Sequence, residues 1–136
     1  MAGYSGTPLP QKLGIKPGSR LALFNAPDGF DRTLGALPDG VRTIGSGTTD
    51  VDVAVFFTDR QAALKKRFAG LARAIAPAGA LWIAWPKKAS KKPTDLDENV
   101  VRAVGLGQGL VDVKVCAIDE TWSGLKFVVR RADRPK

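Results

Sequence analysis

The chain has 136 residues, 44% of them hydrophobic and 25% charged, with 21 Lys and Arg against 13 Asp and Glu for a formal charge of +8. That is the size and composition of one globular domain with room for a sizeable core. There is no histidine and a single cysteine, Cys116, which removes Ser-His-Asp and Cys-His nucleophile pairs, imidazole metal sites, an internal disulfide and a structural zinc site.

Any catalysis must therefore use carboxylates, lysine, hydroxyls or a bound cofactor. The excess of basic residues has two readings: an anionic partner, small molecule or nucleic acid, or a merely solvated basic surface. The opening M-A-G-Y-S-G-T-P-L-P lacks the basic stretch and apolar run of a signal peptide. The longest apolar run, residues 74–85, is broken by Pro77 and Gly79 and is too short to span a bilayer. The expectation is a cytoplasmic protein with no membrane partner.

Residues 1–19 hold three prolines and four glycines without a period and read as an irregular arm. R-L-A-L-F at 20–24 is a short strand, N-A-P-D-G at 25–29 a turn, and residues 30–37 allow two helical turns before Pro38-Asp39-Gly40. A second strand is expected at 41–44, then a loop through Gly45-Ser46-Gly47-Thr48-Thr49. V-D-V-A-V-F-F-T at 51–58 is β-branched and nearly all apolar, the pattern of a strand covered on both faces. Thr58-Asp59-Arg60-Gln61 then fits a capping box. The helix behind it carries Leu64, Phe68, Leu71 and Ile75 on one stripe, with Lys65, Lys66, Arg67 and Arg73 largely off it. Pro77-Ala78-Gly79 ends that helix, and residues 80–85 form the next buried strand. Thr94-Asp95-Leu96-Asp97 resembles a further helix start, favoured by Asp95, Asp97 and Glu98 at the positive end of the dipole. Its apolar face is Leu96, Val100 and Val104, and Gly105, Gly107 and Gly109 end it. Residues 111–116 and 125–130 make two final strands around a turn at 119–124, which only an antiparallel hairpin can join.

Alternating strands and helices predict a three-layer, Rossmann-like α/β fold: a mostly parallel six-stranded sheet, an antiparallel C-terminal hairpin and helices on both faces. The domain spans 20–131, after the arm at 1–19 and before a frayed tail at 132–136.

Two stretches carry a resemblance. G-I-K-P-G-S-R-L at 14–21, and L-A-R-A-I-A-P-A-G-A-L-W-I at 71–83 with its helix, Pro-Gly turn and strand, resemble a class I S-adenosylmethionine-dependent methyltransferase with its middle trimmed. A more specific, full-length likeness runs through A-G-Y-S-G-T-P-L, A-W-P-K-K-A-S and V-K-V-C-A-I-D-E-T-W-S-G-L-K-F-V. These resemble a small bacterial family catalogued as domain of unknown function 3052, which implies the trimmed fold and no activity. The methyltransferase likeness implies S-adenosylmethionine as cofactor, held by an acid and a run of glycines after the first strand and by an acidic residue after the second. This chain departs at both places. Only Gly29 matches a family glycine, Pro27 removes an amide donor, and Gly45-Ser46-Gly47-Thr48 has no carboxylate.

In an open α/β sheet the ligand crevice lies at the carboxyl ends of the strands, where strand order reverses. The rim residues expected there are Asn25, Asp28, Thr58, Asp59, Trp85 and Lys87. Asn25 and Asp28 read equally as turn formers that bond their own loop. Lys87, Lys88, Lys91 and Lys92 fall within six residues and precede the helix start at Thr94. They read as an anion site or as a solvated loop. Asp119, Glu120 and Trp122 lie in the hairpin turn on the same edge. They either pair with those lysines or close a pocket in which Trp122 stacks on a planar ligand. Trp82 reads as core, Cys116 as a small buried residue, and the arm Tyr4-Ser5-Gly6-Thr7 as a flap over the crevice or a loose terminus.

The functional expectation is a non-catalytic binding module for an anionic ligand, nucleotide or nucleic acid, at the carboxyl edge. The alternatives are a methyltransferase with an atypical cofactor loop and an interaction subunit docking on an acidic protein.

Overall fold

The computed structural model describes residues 8–44 and 49–133. The strands are β1 (Arg20–Phe24), β2 (Arg42–Ile44), β3 (Val51–Phe57), β4 (Ile75–Pro86), β5 (Leu110–Ala117) and β6 (Trp122–Val129). The helices are α1 (Leu9–Leu13), α2 (Phe30–Leu34), α3 (Gln61–Ala74) and α4 (Glu98–Gly107). One six-stranded sheet runs in the order β2-β1-β3-β4-β6-β5. The first four strands are parallel, β6 is antiparallel to β4, and β5 is antiparallel to β6. The three-layer α/β architecture expected from the sequence is the one observed.

Strand alternation sorts the core into two halves. On one face Ala54, Phe56, Leu81, Ile83, Leu125 and Phe127 pack under Leu64, Phe68 and Leu71 of α3 and Val101 of α4. On the other, Val53, Val55, Phe57, Trp82 and Ala84 meet Leu9 and Leu13 of α1 and Phe30 and Leu34 of α2. Phe68 and Phe127 meet edge to face, with centroids 5.4 Å apart, and burying rings of this size contributes roughly 1.5–3 kcal/mol each. The close seat of α4 on β6 depends on Gly105, because a Cβ there would run into the ring of Phe127.

Several expectations change. The arm is not irregular throughout: residues 9–13 form a helix, and Leu9, Leu13 and Ile15 are buried in the core. Hence the packed domain begins well before residue 20. The capping box at Thr58 does not form. The Thr58 hydroxyl accepts from the Arg60 amide at 3.3 Å, and the Gln61 amide donates instead to Asp95 Oδ1 at 2.7 Å. α3 passes straight into β4, with no loop at Pro77-Ala78-Gly79. Val51 pairs with Ile75 but Val53 with Ala80, so residues 76–79 bulge from the ladder, where Pro77 has no amide to give. α4 starts at Glu98, not at Thr94, with Asp97 accepting from the Val100 amide at 2.8 Å. The hairpin turn is shorter than expected, since Trp122 and Ser123 already belong to β6. Residues 131–133 of the C-terminal stretch form a 3₁₀ turn. The flap reading of Tyr4-Ser5-Gly6-Thr7, the loop Gly45-Ser46-Gly47-Thr48 and residues 134–136 lie outside the described residues. Among those described, no helix is long and apolar enough to cross a membrane.

Candidate functional site

The carboxyl ends of β1, β3 and β4 share one edge of the sheet, and the register brings the β5–β6 turn to the same place. Pro86 pairs with Trp122, and the Lys87 amide donates to the Thr121 carbonyl at 2.8 Å. The lysine loop and the turn holding Asp119 and Glu120 are thus neighbours, as the topology implied.

The lysine loop is shaped by its own backbone. Residues 88–90 make one 3₁₀ turn, and Lys91 closes it in the left-handed conformation at φ 59. The Ser90 hydroxyl donates to the Lys87 carbonyl at 2.6 Å and accepts from the Lys92 amide at 3.3 Å. Lys88, Lys91 and Lys92 are exposed and Lys87 is half-buried. Among the described residues none of the four ammonium groups has an ion-pair partner.

The nearby carboxylates are largely occupied. Asp95 caps α3, Asp97 caps α4, and Asp119 Oδ1 accepts from both the Thr121 and Trp122 amides at 2.8 Å. Asp119 therefore builds its turn rather than pairing with a lysine. Glu120 is exposed. Asp59 is exposed, and its carbonyl accepts the Thr94 hydroxyl at 2.7 Å, which ties the end of the lysine loop to the start of α3. Between them lies a cleft of about 370 Å³ lined by Asp59, Arg60, Pro93, Thr94 and Asp95.

Two rim residues, and the tryptophan of the hairpin, are committed to the core or to their own turn. Trp85 is 5% exposed and belongs to the core under α3 and α4, because β4 runs one residue past it. Thr58 is 7% exposed and bonded within its own turn. Trp122 is half-buried, with its ring edge to face on Phe57 at 5.2 Å. It caps the α2 side of the core and is not a free stacking platform. Asn25 and Asp28 are exposed at the end of β1, and Asn25 holds φ 57, a backbone state that Asn tolerates. That is the turn-forming role.

Two features escaped sequence reading. Arg67 on α3 lies over the rings of Phe24 (5.7 Å) and Phe56 (5.4 Å), so a guanidinium covers the ends of β1 and β3. Asp95 reaches a helix start 34 residues upstream, for which no local pattern exists. Replacing Asp95 by Ala should remove that cap and lower stability by about 0.5–2 kcal/mol. A shift of the urea midpoint at constant slope measures it; an unchanged midpoint would show that water replaces the carboxylate without loss.

Other ionisable groups are paired or part-buried. Glu98 and Asp112 grip Arg102 at 2.6 and 2.9 Å, and its guanidinium holds the Asp112 carboxyl below the usual range. Burial pushes the Cys116 thiol up, only partly opposed by Lys12, Lys114 and Lys87, so it is not poised as a nucleophile.

The residues present do not fit S-adenosylmethionine in the manner the fold would imply. β1 ends on Leu23 and Phe24, not on an acid, and Phe24 lies under Arg67. The turn behind it has Pro27 in place of an amide donor and its first left-handed residue at Asn25.

Solved structures give the fold a class. The domain has the α/β Rossmann-like fold of class I S-adenosylmethionine-dependent methyltransferases. It is similar to the fibrillarin pre-rRNA processing protein of Methanococcus jannaschii (TM-score 0.60, 11% identity, 90% of this chain and 69% of that one). A TehB-like S-adenosylmethionine-dependent methyltransferase from Corynebacterium glutamicum also superposes (TM-score 0.55, 11% identity, 95% and 91%). So does fibrillarin of Aeropyrum pernix, solved with S-adenosyl-L-methionine natively bound (TM-score 0.50, 13% identity, 93% and 70%). No family model and no curated protein matches the chain. Identities this low establish the fold and leave the activity to the site.

Proposed function

We propose that this domain is a non-catalytic binding module that takes an anionic, phosphate-bearing ligand at the carboxyl edge of its sheet, and that it works in the cytoplasm. The observation that supports it most is an imbalance. Asp95, Asp97 and Asp119 are committed to backbone amides, while among the described residues the ammonium groups of Lys87, Lys88, Lys91 and Lys92 have no ion-pair partner. The same commitment argues against acid–base chemistry by those three carboxylates. The likeness to the family catalogued as domain of unknown function 3052 adds no activity and is compatible with this reading. A methyltransferase using unusual cofactor contacts is the rival, favoured by the fold alone.

Calorimetric titration with ATP, as a compact polyphosphate probe, tests the proposal. The wild-type protein should bind it more weakly as salt rises. The variant with Lys87, Lys88, Lys91 and Lys92 all changed to Gln should lose about tenfold or more of the low-salt affinity and most of that salt dependence. Equal binding by both proteins, or none by the wild type at low salt, would remove the loop from any site.

A further inference from the structure

A second cationic surface lies beyond the edge. α3 spans 14 residues and contains no acid at all. Its outward side presents Lys65, Lys66, Arg67 and Arg73 around Ala62, Ala69 and Gly70. Among the described residues the side chains of Lys65, Lys66 and Arg73 have no ion-pair or hydrogen-bond partner, whereas Arg67 is spent on Phe24 and Phe56. Arg60 stands at the head of this face, beside the cleft that joins it to the lysine loop. The carboxylates lining that cleft are Asp95, which caps the helix, and Asp59.

We infer that the outward face of α3 is a docking surface for the phosphate backbone of a double-stranded nucleic acid. Three properties select this partner. The first is charge without a counter-charge: a duplex carries one negative charge per about 1.7 Å of its axis, and α3 offers cations from Lys65 to Arg73, along about 12 Å. Second, the residues between the cations are Ala and Gly, so a backbone can approach closely, while a protein partner would find no aromatic or large aliphatic anchor. Third, among the described residues the face has no free aromatic ring. Trp82 and Trp85 are buried and Phe24 lies under Arg67, so an unpaired base has nothing to stack on and a single strand is disfavoured. Such a surface holds the backbone and reads no sequence. It goes beyond the edge site and is separable from it.

The test is fluorescence anisotropy with a mixed-sequence 20-base-pair DNA duplex, its RNA counterpart and the single strand, each at several salt concentrations. The test variant carries Lys65→Gln, Lys66→Gln and Arg73→Gln, exposed changes that keep helix propensity. The expected result is duplex binding by the wild type, with logarithmic salt dependence reduced by about 0.9 for each phosphate contact the variant loses on DNA. The variant's low-salt affinity should fall about tenfold or more, and its affinity for ATP should not change. DNA and RNA duplexes bound alike would show readout of charge alone, as proposed. A variant that binds duplex as the wild type does overturns the assignment to α3, even where the lysine-loop variant still loses ATP. Tighter binding of the single strand, or binding only to vesicles containing phosphatidylserine, overturns the choice of partner. Loss of duplex binding in the α3 variant, with ATP binding unaffected by the lysine-loop variant, leaves this inference standing and defeats the edge site instead.

Discussion

Replacing Trp82 by Ala should cost about 3–5 kcal/mol, the range for emptying a large buried aromatic site, and lower the melting midpoint by more than about 10 °C. Trp82 is fully buried and central to the α1–α2 half of the core. Its indole N–H donates to the carbonyl of Leu13 at 3.0 Å, across 69 residues of chain. One side chain therefore fills the volume under α1 and fastens the end of α1 to the sheet. Trp82→Phe separates the two roles. It refills most of the space but leaves the Leu13 carbonyl without its donor, a loss of roughly 1–3 kcal/mol for a buried acceptor. Limited proteolysis should then cut within residues 8–19 of the Phe variant sooner than in the wild type. Equal stability of the Phe variant and the wild type would show that the hydrogen bond contributes nothing.

Gly105→Ala should be nearly as damaging, although Ala is the better helix former by about 1 kcal/mol. The added methyl group would enter the ring of Phe127. That ring is fully buried and braced by Phe68, so α4 itself must lift from the sheet. Overpacking of this kind costs typically about 1–3 kcal/mol. The closeness of the approach puts this case at the upper end, with a fall of about 10 °C in the midpoint. A double-mutant cycle assigns the cause. Phe127→Leu should cost less when combined with Gly105→Ala than in the wild type, because it relieves the clash. A midpoint within about 2 °C of wild type for Gly105→Ala, under the shift expected for even 1 kcal/mol, would mean that α4 does not sit as described.

The fold was legible where sequence pattern and burial coincide. The run V-D-V-A-V-F-F announced β3, buried at every position but Asp52, and the stripe Leu64, Phe68, Leu71 announced α3. What escaped was set by contacts distant in sequence. α1 is only five residues long, with Pro10 in its first turn and Gly14 as a left-handed C-cap, signals too short to hold a helix without Leu9 and Leu13 buried in the core. Thr58 has the sequence of a capping box, yet Asp95 does the capping. Trp82 and Trp85 lie three residues apart on one strand and so face opposite ways. Both faces are covered by helices, which buries each and removes Trp85 from the rim. The lysine loop was visible because four charges in six residues need no tertiary information. That its neighbouring acids are committed to backbone amides could be seen only in three dimensions.

The reading of this domain as a methyltransferase-like fold turned to binding requires that the turn from Asn25 to Gly29, with Pro27 and no acid at the end of β1, does not hold the cofactor of that fold. A thermal-shift titration with S-adenosylhomocysteine at fixed salt tests it most directly. A ligand at 100 times its dissociation constant adds roughly 2.7 kcal/mol to stability, several degrees for a domain of this size. The account predicts a midpoint that does not move up to millimolar ligand. A rise of several degrees would contradict it, and the turn from Asn25 to Gly29 would then be the first place to mutate.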